Sequence, residues 1–402
     1  MARGGEVMPP RACLTVVRRV SGPEADELAI RCRPPAGAPD AASQAEATYR
    51  ELTALLTADG ASFRDLVGET LHLRDIRRDL PALLAARQPV LAEHGLAYGA
   101  APPVAIQQPP LAPEAAFELT ASAVIPRHRA AWSVRDVPAA SACGCEGCAR
   151  TTARLVRGRG QTSLHTSNVY GIGGDAFAQA VNMFEVAERL LDRCGMGFGD
   201  VIRTWIYLRD IDRDYEALNR ARREFFQHHG VERRPASTGV QGGPLPDAHD
   251  FSLHLRAVRS ARPLDIAPIS TPRLNEAWSY GADFSRGLRV ADANAVTLFV
   301  SGTASIDESG QTAHVGDFPA QVDRMLHNIE TLLARQGAGF ADLVSGVVYL
   351  KRPSDAPVLR AMCRARGFAD FPCALVEARL CRPELLCEAE AVAMLPLPAA
   401  GA

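Results

Sequence analysis

No stretch of this chain holds the roughly 20 consecutive apolar residues that a membrane-spanning helix needs. Neither sign of charge is in excess: 44 Lys and Arg against 46 Asp and Glu leave a formal net charge of −2. Nothing in that balance calls for nucleic acid or an anionic membrane as partner. The opening residues, MARGGEVMPPRACL, hold no apolar segment of the signal-peptide kind, so the expected compartment is the cytoplasm. A compact disulfide framework is missing as well. The ten cysteines are spread over 402 residues, and in a reducing compartment they are expected as thiols, mostly small buried hydrophobes. What is left is a globular chain, 47% hydrophobic and 22% charged, long enough for two or three domains.

What the sequence does contain is an internal repeat. LLTADGASFRDLVGETLHLRDI from Leu55, LLDRCGMGFGDVIRTWIYLRDI from Leu190 and LLARQGAGFADLVSGVVYLKRP from Leu332 align without gaps. Each begins with the end of a helix, which Gly60, Gly195 or Gly337 caps in the left-handed conformation. Phe63, Phe198 and Phe340 plug the turn, and Asp65, Asp200 and Asp342 precede a strand with apolar alternation. The helices ahead of the second and third copies are amphipathic, with N-caps expected at Asp175 and Asp317; the first is less sharply started. A closing segment recurs too: LAPEAAFELTASAV (111–124) matches CRPELLCEAEAVAM (381–394), pairing Glu118 with Glu388, and Ser252 holds that place in the middle copy. The expected class is α+β: three β-β-α-β-α-β units at 12–126, 150–260 and 275–397. Helices cover one face of each sheet, so the bare faces should pack together about a pseudo-threefold axis. The boundaries fall in turn-rich stretches at 127–148 and 259–272.

This unit resembles the Rid fold of trimeric imine deaminases. One chain holding three such units, with SGTASI (301–306), RTWIYLRDI (203–211), YEALNRAR (215–222) and CRPELLCEAEA (381–391), is similar to the chorismatases. That family releases pyruvate from chorismate, leaving a hydroxybenzoate or a dihydroxycyclohexadiene carboxylate, without a cofactor. The resemblance implies a secondary-metabolic enzyme acting on a small anion. Asp307–Gly310 stand where the family pattern runs through Gly-His-Glu, and Ile206 replaces the Asn of Trp-Asn-Tyr; both changes imply a reshaped pocket. Other readings are a noncatalytic small-acid-binding protein and a diverged imine or enamine hydrolase. With three units in one chain, a monomer or weak dimer is expected.

Protonating an enol ether needs a carboxylic acid kept neutral by a dry site. Glu388, on an apolar strand, has that character if it faces an inter-unit cleft; otherwise it is a strand-end glutamate paired with a surface Arg. The family's essential glutamate falls on Glu388, and its hydroxybenzoate-forming members carry cysteine at the place of Cys381. Glu118 is expected to be a relic or structural carboxylate. Substrate carboxylates call for guanidinium partners, of which Arg382 and Arg286 are the first candidates and Arg203 the next. Tyr280 and Tyr207 are expected at the pocket wall, with Thr303 and Ser305 at its floor. The carboxylate-binding Arg of the deaminases is replaced by Pro103, Ser237 and Cys373, which argues against ordinary deaminase chemistry. Cys143, Cys145 and Cys148 in CGCEGC could hold a structural zinc if His165 or Cys194 completed the set; linker thiols are the other reading. YGIGGD (170–175) lacks the Lys of a phosphate loop and reads as a tight turn.

Overall fold

A computed structural model describes residues 13–96, 103–138, 145, 151–158, 160–272, 274–275, 283–369 and 371–397. Among these, no helix is long and apolar enough to cross a membrane. Three mixed sheets follow one another. The first contains β1 (Leu14–Ser21), β2 (Ala25–Arg33), β3 (Leu66–Leu73), β4 (Val104–Gln107) and β5 (Phe117–Pro126), in the order β1-β2-β5-β3-β4. The second contains β6 (Trp132–Pro138), β7 (Thr152–Gly158), β8 (Gln161–Thr166), β9 (Val201–Leu208), β10 (Ala236–Gln241) and β11 (Phe251–Ser260). The third has β12 (Asp265–Pro268), β13 (Gly287–Ala291), β14 (Ala295–Ala304), β15 (Leu343–Leu350), β16 (Cys373–Glu377) and β17 (Cys387–Pro396). Their orders, β6-β7-β8-β11-β9-β10 and β12-β13-β14-β17-β15-β16, repeat the first with one strand added at the edge.

Two helices belong to each sheet: α1 (Ala41–Ala58) and α2 (Ile76–Glu93), α3 (Ala176–Asp192) and α4 (Ile211–His228), α5 (Phe318–Ala334) and α6 (Ala356–Ala365). The sequence signals place them. Gly60, Gly195 and Gly337 all adopt φ of 71°, the left-handed cap that lacks a Cβ penalty only for glycine. Asp175 and Asp317 accept from the backbone N–H of Ala178 and Ala320 as N-caps. The weakly signalled α1 is started by Asp40, which accepts from Ser43 N–H.

Each unit has the expected element order with one addition. A short strand (β4, β10 or β16) follows the second helix and pairs parallel with the strand before that helix. Four to six residues carry too little alternation to register as a strand. The stretches expected as irregular connections also supply strands, β6 and β12, at the edges of sheets two and three. In β6, Trp132 lies opposite Gly158 and covers it; a Cβ on Gly158 would come 2.4 Å from the indole.

The sheets close a ring. Ala105 N–H bonds Asn168 Oδ1 between units one and two, and Ser237 N–H bonds Ser301 Oγ between two and three. Leu111 N–H bonds the Leu375 carbonyl between units one and three. The helix-free faces meet at a central cavity of about 180 Å³ lined from all three sheets, including His72, His165, Arg203, His254, Arg256 and Glu390. Alternation on β17 decides what faces inward: Cys387, Ala389 and Ala391 are packed in the unit-three core, while Glu388 and Glu390 point to the axis side.

Candidate active site

A second cavity, about 470 Å³, lies between units two and three. Unit three brings Glu388 from β17, Gly302 from β14, Arg286 just ahead of β13, and Cys381 and Arg382 from the turn before β17. Unit two brings Ser237 and Thr238 from β10. Tyr215, Asn219 and Arg222 also come from unit two, spaced four and three apart so that one side of α4 faces the cleft.

Glu388 is buried, and its carboxyl lies across Gly302: a Cβ there would be 2.1 Å from Glu388 Oε1. Gly302 N–H donates to Thr238 Oγ1 at 3.0 Å, which fixes the two units at this point. Burial is the main influence on Glu388, and the nearby Glu390 carboxylate adds to it. Together they push its carboxyl up to about 8, against the pull of Arg286 and Arg203. Glu390 itself is an ion pair, accepting from Arg203 Nη2 at 2.7 Å and from Trp205 Nε1 at 2.6 Å. Two carboxyl groups on one strand face thus have different surroundings: burial keeps Glu388 protonated, while Glu390 is paired with Arg203.

Guanidinium groups surround the acid. Arg286 Nε donates to the Asn275 carbonyl at 2.8 Å, and Arg382 Nη1 to the Gly310 carbonyl at 2.8 Å. Both supports meet in one place, because Asn275 packs against Gly310 where a Cβ would be 2.4 Å from its Nδ2. Gly310 has φ of 82° in a turn that Asp307 ties by accepting from Ser309 and Gln311 N–H. The Asp-Glu-Ser-Gly stretch that departs from the family pattern therefore holds both arginines. Arg222 bonds Asn219 Oδ1 at 2.7 Å and Ser237 Oγ at 3.4 Å, bringing a third cation from unit two. Cys381 bonds Tyr215, and burial with Glu388 nearby pushes its thiol up to about 12. It is therefore a neutral wall of the cleft and no thiolate.

Of the residues expected from the sequence, the structure brings Glu388, Cys381, Arg382 and Arg286 together. Arg203 and Tyr207 are corrections. Both are buried at the central cavity, with Arg203 engaged by Glu390 and by Thr238 Oγ1 at 2.6 Å. They share the inward face of β9, but that strand lies behind β10, which alone reaches the cleft. Thr303 is a third correction: it is buried and donates to the Ser301 carbonyl at 2.8 Å, because the irregularity between Val300 and Thr303 turns Gly302 to the cleft instead. Ser305 likewise bonds the Ala313 carbonyl. Ile206 is part of the helix-side core of unit two, so that departure does not touch the cleft. Tyr280, Cys143 and Cys148 lie outside the described residues. Neither expected fourth zinc ligand meets Cys145: His165 lines the central cavity and Cys194 is in the unit-two core, whereas His249 is beside Cys145. Arg222, Tyr215, Ser237 and Thr238 were not anticipated as cleft residues. The helical spacing of Tyr215, Asn219 and Arg222 was the available signal.

The two equivalent junctions are filled. Strand register puts Arg31 and Asn168 where unit three has Gly302, and Glu118 and Ser252 where it has Glu388. Arg31 Nη1 donates to Glu118 Oε1 at 3.0 Å, and Asn168 Nδ2 to Ser252 Oγ at 3.2 Å. A side chain occupies each position that glycine leaves open. Glu118 is thus a buried structural carboxylate.

The family model described as Endoribonuclease L-PSP matches residues 148–258 and 280–395. A 3-hydroxybenzoate synthase of Streptomyces hygroscopicus is 31% identical over 245 residues, covering 54% of this chain and 68% of that protein. A chorismatase of Streptomyces rapamycinicus is 27% identical over 221 residues, covering 49% and 65% respectively. A crystal structure of a chorismatase shares the fold, with a TM-score of 0.59 at 18% identity over 82% of this chain and 93% of that one. The matched repeats, the ring of three sheets and the 31% identical relative agree: this chain belongs to the endoribonuclease L-PSP, or Rid, family, as a tandem three-unit member of its chorismatase branch.

Proposed function

We propose that the cleft between units two and three converts chorismate to pyruvate and a hydroxybenzoate, with 3-hydroxybenzoate the favoured product. The observation that carries this reading is the Glu388 carboxyl, buried over Gly302 and held neutral up to about pH 8 among arginines. Chorismate is a dianion with an enol-ether side chain, and the cleft offers Arg286, Arg382 and Arg222 to two carboxylates. Glu388 delivers its proton to the enol methylene carbon. The double-bond electrons form the new C–H bond, and the ether oxygen shares the positive charge left behind. Loss of the ring proton to Glu388 and of the neighbouring hydroxyl group as hydroxide aromatises the ring; the hydroxide adds to the oxocarbenium carbon, and the hemiketal so formed breaks the bond between that carbon and the ring oxygen, passing its hydroxyl proton to that oxygen and releasing pyruvate and the phenol. Pyruvate and 3-hydroxybenzoate together contain the atoms of chorismate, so no net water is consumed. Cys381, neutral beside Glu388, supports that product over the hydrated diol, because it contributes bulk and no base. The relative named 3-hydroxybenzoate synthase supports it as well.

The test is incubation with chorismate, following pyruvate through lactate dehydrogenase and the ring product by mass spectrometry. The expected result is stoichiometric pyruvate with 3-hydroxybenzoate. Absence of pyruvate above background would leave a binding protein or a different substrate. The dihydroxycyclohexadiene carboxylate would keep the substrate and overturn the product.

A further inference from the structure

The face of sheet two that turns to the central cavity carries a row of basic residues. Strand register sets His165 on β8 beside Arg256 on β11, and Arg256 beside Arg203 on β9. β7 extends the row with Arg154 opposite His165. Side chains paired in this way start about 5 Å apart, and like charges so placed repel. The fold does not require them. The same register positions hold Ala29, Ser122 and Gly68 in unit one, and Phe299, Val392 and Ser345 in unit three. Two of the three guanidinium groups are compensated, Arg154 by Asp136 at 2.8 Å and Arg203 by Glu390 at 2.7 Å. Arg256 is not. Its Nε is buried without a hydrogen-bond partner, its guanidinium lies 5.6 Å from the Phe299 ring centre, and no ion pair closes on it among the described residues. Glu27 lines the same cavity, but it accepts from Asn294 Nδ2 at 3.3 Å, and burial raises it above the ordinary carboxylate range against the pull of Arg256. His165, 7% exposed, has no hydrogen-bond partner among the described residues; burial, with Arg256, His254 and Arg154 nearby, keeps it neutral with one N–H to donate.

We propose that the central cavity is a second ligand site, taking a small aromatic carboxylate whose charged group sits on Arg256 and His165. A guanidinium fork and an imidazole N–H side by side match the two oxygens of a carboxylate. An anion there also relieves the repulsion between Arg256 and Arg203. Arg18, from unit one, adds a further cation to the same space. Sheets one and three turn Leu28, Ile30, Val347, Val392 and Met394 to the cavity, where the ring would lie. An inorganic ion would leave those walls without contact atoms. An apolar cavity of ~150 Å³ is enough to hold benzene. The volume here, about 180 Å³, therefore admits one ring with its carboxylate. None of the residues lining this cavity lines the Glu388 cleft, and the proposal does not rest on what that cleft catalyses.

Titration of the full chain with 3-fluorobenzoate, followed by fluorine NMR, tests it. Arg256→Val and His165→Phe copy what unit three carries at these register positions, so the fold already accommodates both residues. The wild type should show saturable binding that weakens about tenfold or more in Arg256→Val, the loss of one charge-assisted contact. Arg222→Met, which removes a cation from the cleft, should leave that binding in place. If Arg256→Val does not fold, His165→Phe takes its place, since it removes the imidazole donor and should weaken the same signal. No saturable binding to the wild type overturns the site. So does binding that Arg222→Met removes, or wild-type affinity in whichever of the two cavity variants folds.

Discussion

Gly302→Ala is the most direct perturbation of the cleft, because it adds one methyl group and removes nothing. That Cβ would be 2.1 Å from Glu388 Oε1 and 3.1 Å from Thr238 Cγ2. Even a close C–H···O approach keeps carbon and oxygen about 3.3 Å apart, so the carboxyl must withdraw by roughly 1 Å. A misplacement of that size costs about a hundredfold in rate, or about 2.7 kcal/mol of transition-state stabilisation. The fold should not suffer. Gly302 is not among the glycines with positive φ, so alanine is free to adopt its backbone. Removing a glycine from the unfolded chain is worth about 0.4–1 kcal/mol in favour of folding. The expected outcome is an unchanged or raised melting temperature with about a hundredfold loss of chorismate-dependent pyruvate release. A well-folded variant with wild-type kcat would refute Glu388 as the proton donor in this position.

Other outcomes follow from the same geometry. Activity should fall about tenfold per pH unit above about 8, as the Glu388 proton is lost. Glu388→Gln should abolish turnover at every pH. The folded Glu388 carboxyl holds its proton more tightly than the unfolded one, whose value is 4.5. Its contribution to stability is therefore complete below pH 4.5 and gone above about pH 8, a loss of a few kcal/mol at about 1.4 kcal/mol per unit. Comparing thermal melts of wild type and Glu388→Gln across this range measures it; parallel curves would count against the raised value. Glu390→Gln removes a negative charge roughly 7 Å along the strand, worth about 2 kcal/mol at an effective dielectric of ~20. The alkaline limb of the rate profile should then move down by more than one pH unit; an unmoved limb would deny the coupling. Arg31→Met leaves Glu118 buried with Arg33, at 3.9 Å, and the charge of Arg360, and should cost about 3 kcal/mol in denaturant melts without changing kcat.

The repeat made the architecture legible, because glycine caps, aromatic plugs and acidic N-caps are local signals with one structural outcome each. Glu388 was legible for a similar reason: a carboxylate between Cys387 and Ala389 contradicts the apolar strand around it. Arg203 and Tyr207 were misplaced because alternation assigns a sheet face but does not distinguish two cavities opening onto the same face. Thr303 was misplaced because a slip in register between β14 and β17 turns its neighbour to the cleft, and no side-chain pattern announces that slip. The cleft wall from α4 and the His249 partner of Cys145 depend on contacts between distant parts of the chain. Periodicity carries no information about those.

Joining three units covalently frees each junction to differ. In a ring of identical subunits, an arginine placed where Gly302 is would block every cavity at once, and a glycine there would loosen every seam. Here Arg31 and Asn168 act as mortar at two seams, while the third is left as a doorway. Cohesion and reactivity, which a symmetric assembly must compromise at each copy, are divided among separate addresses in one polypeptide.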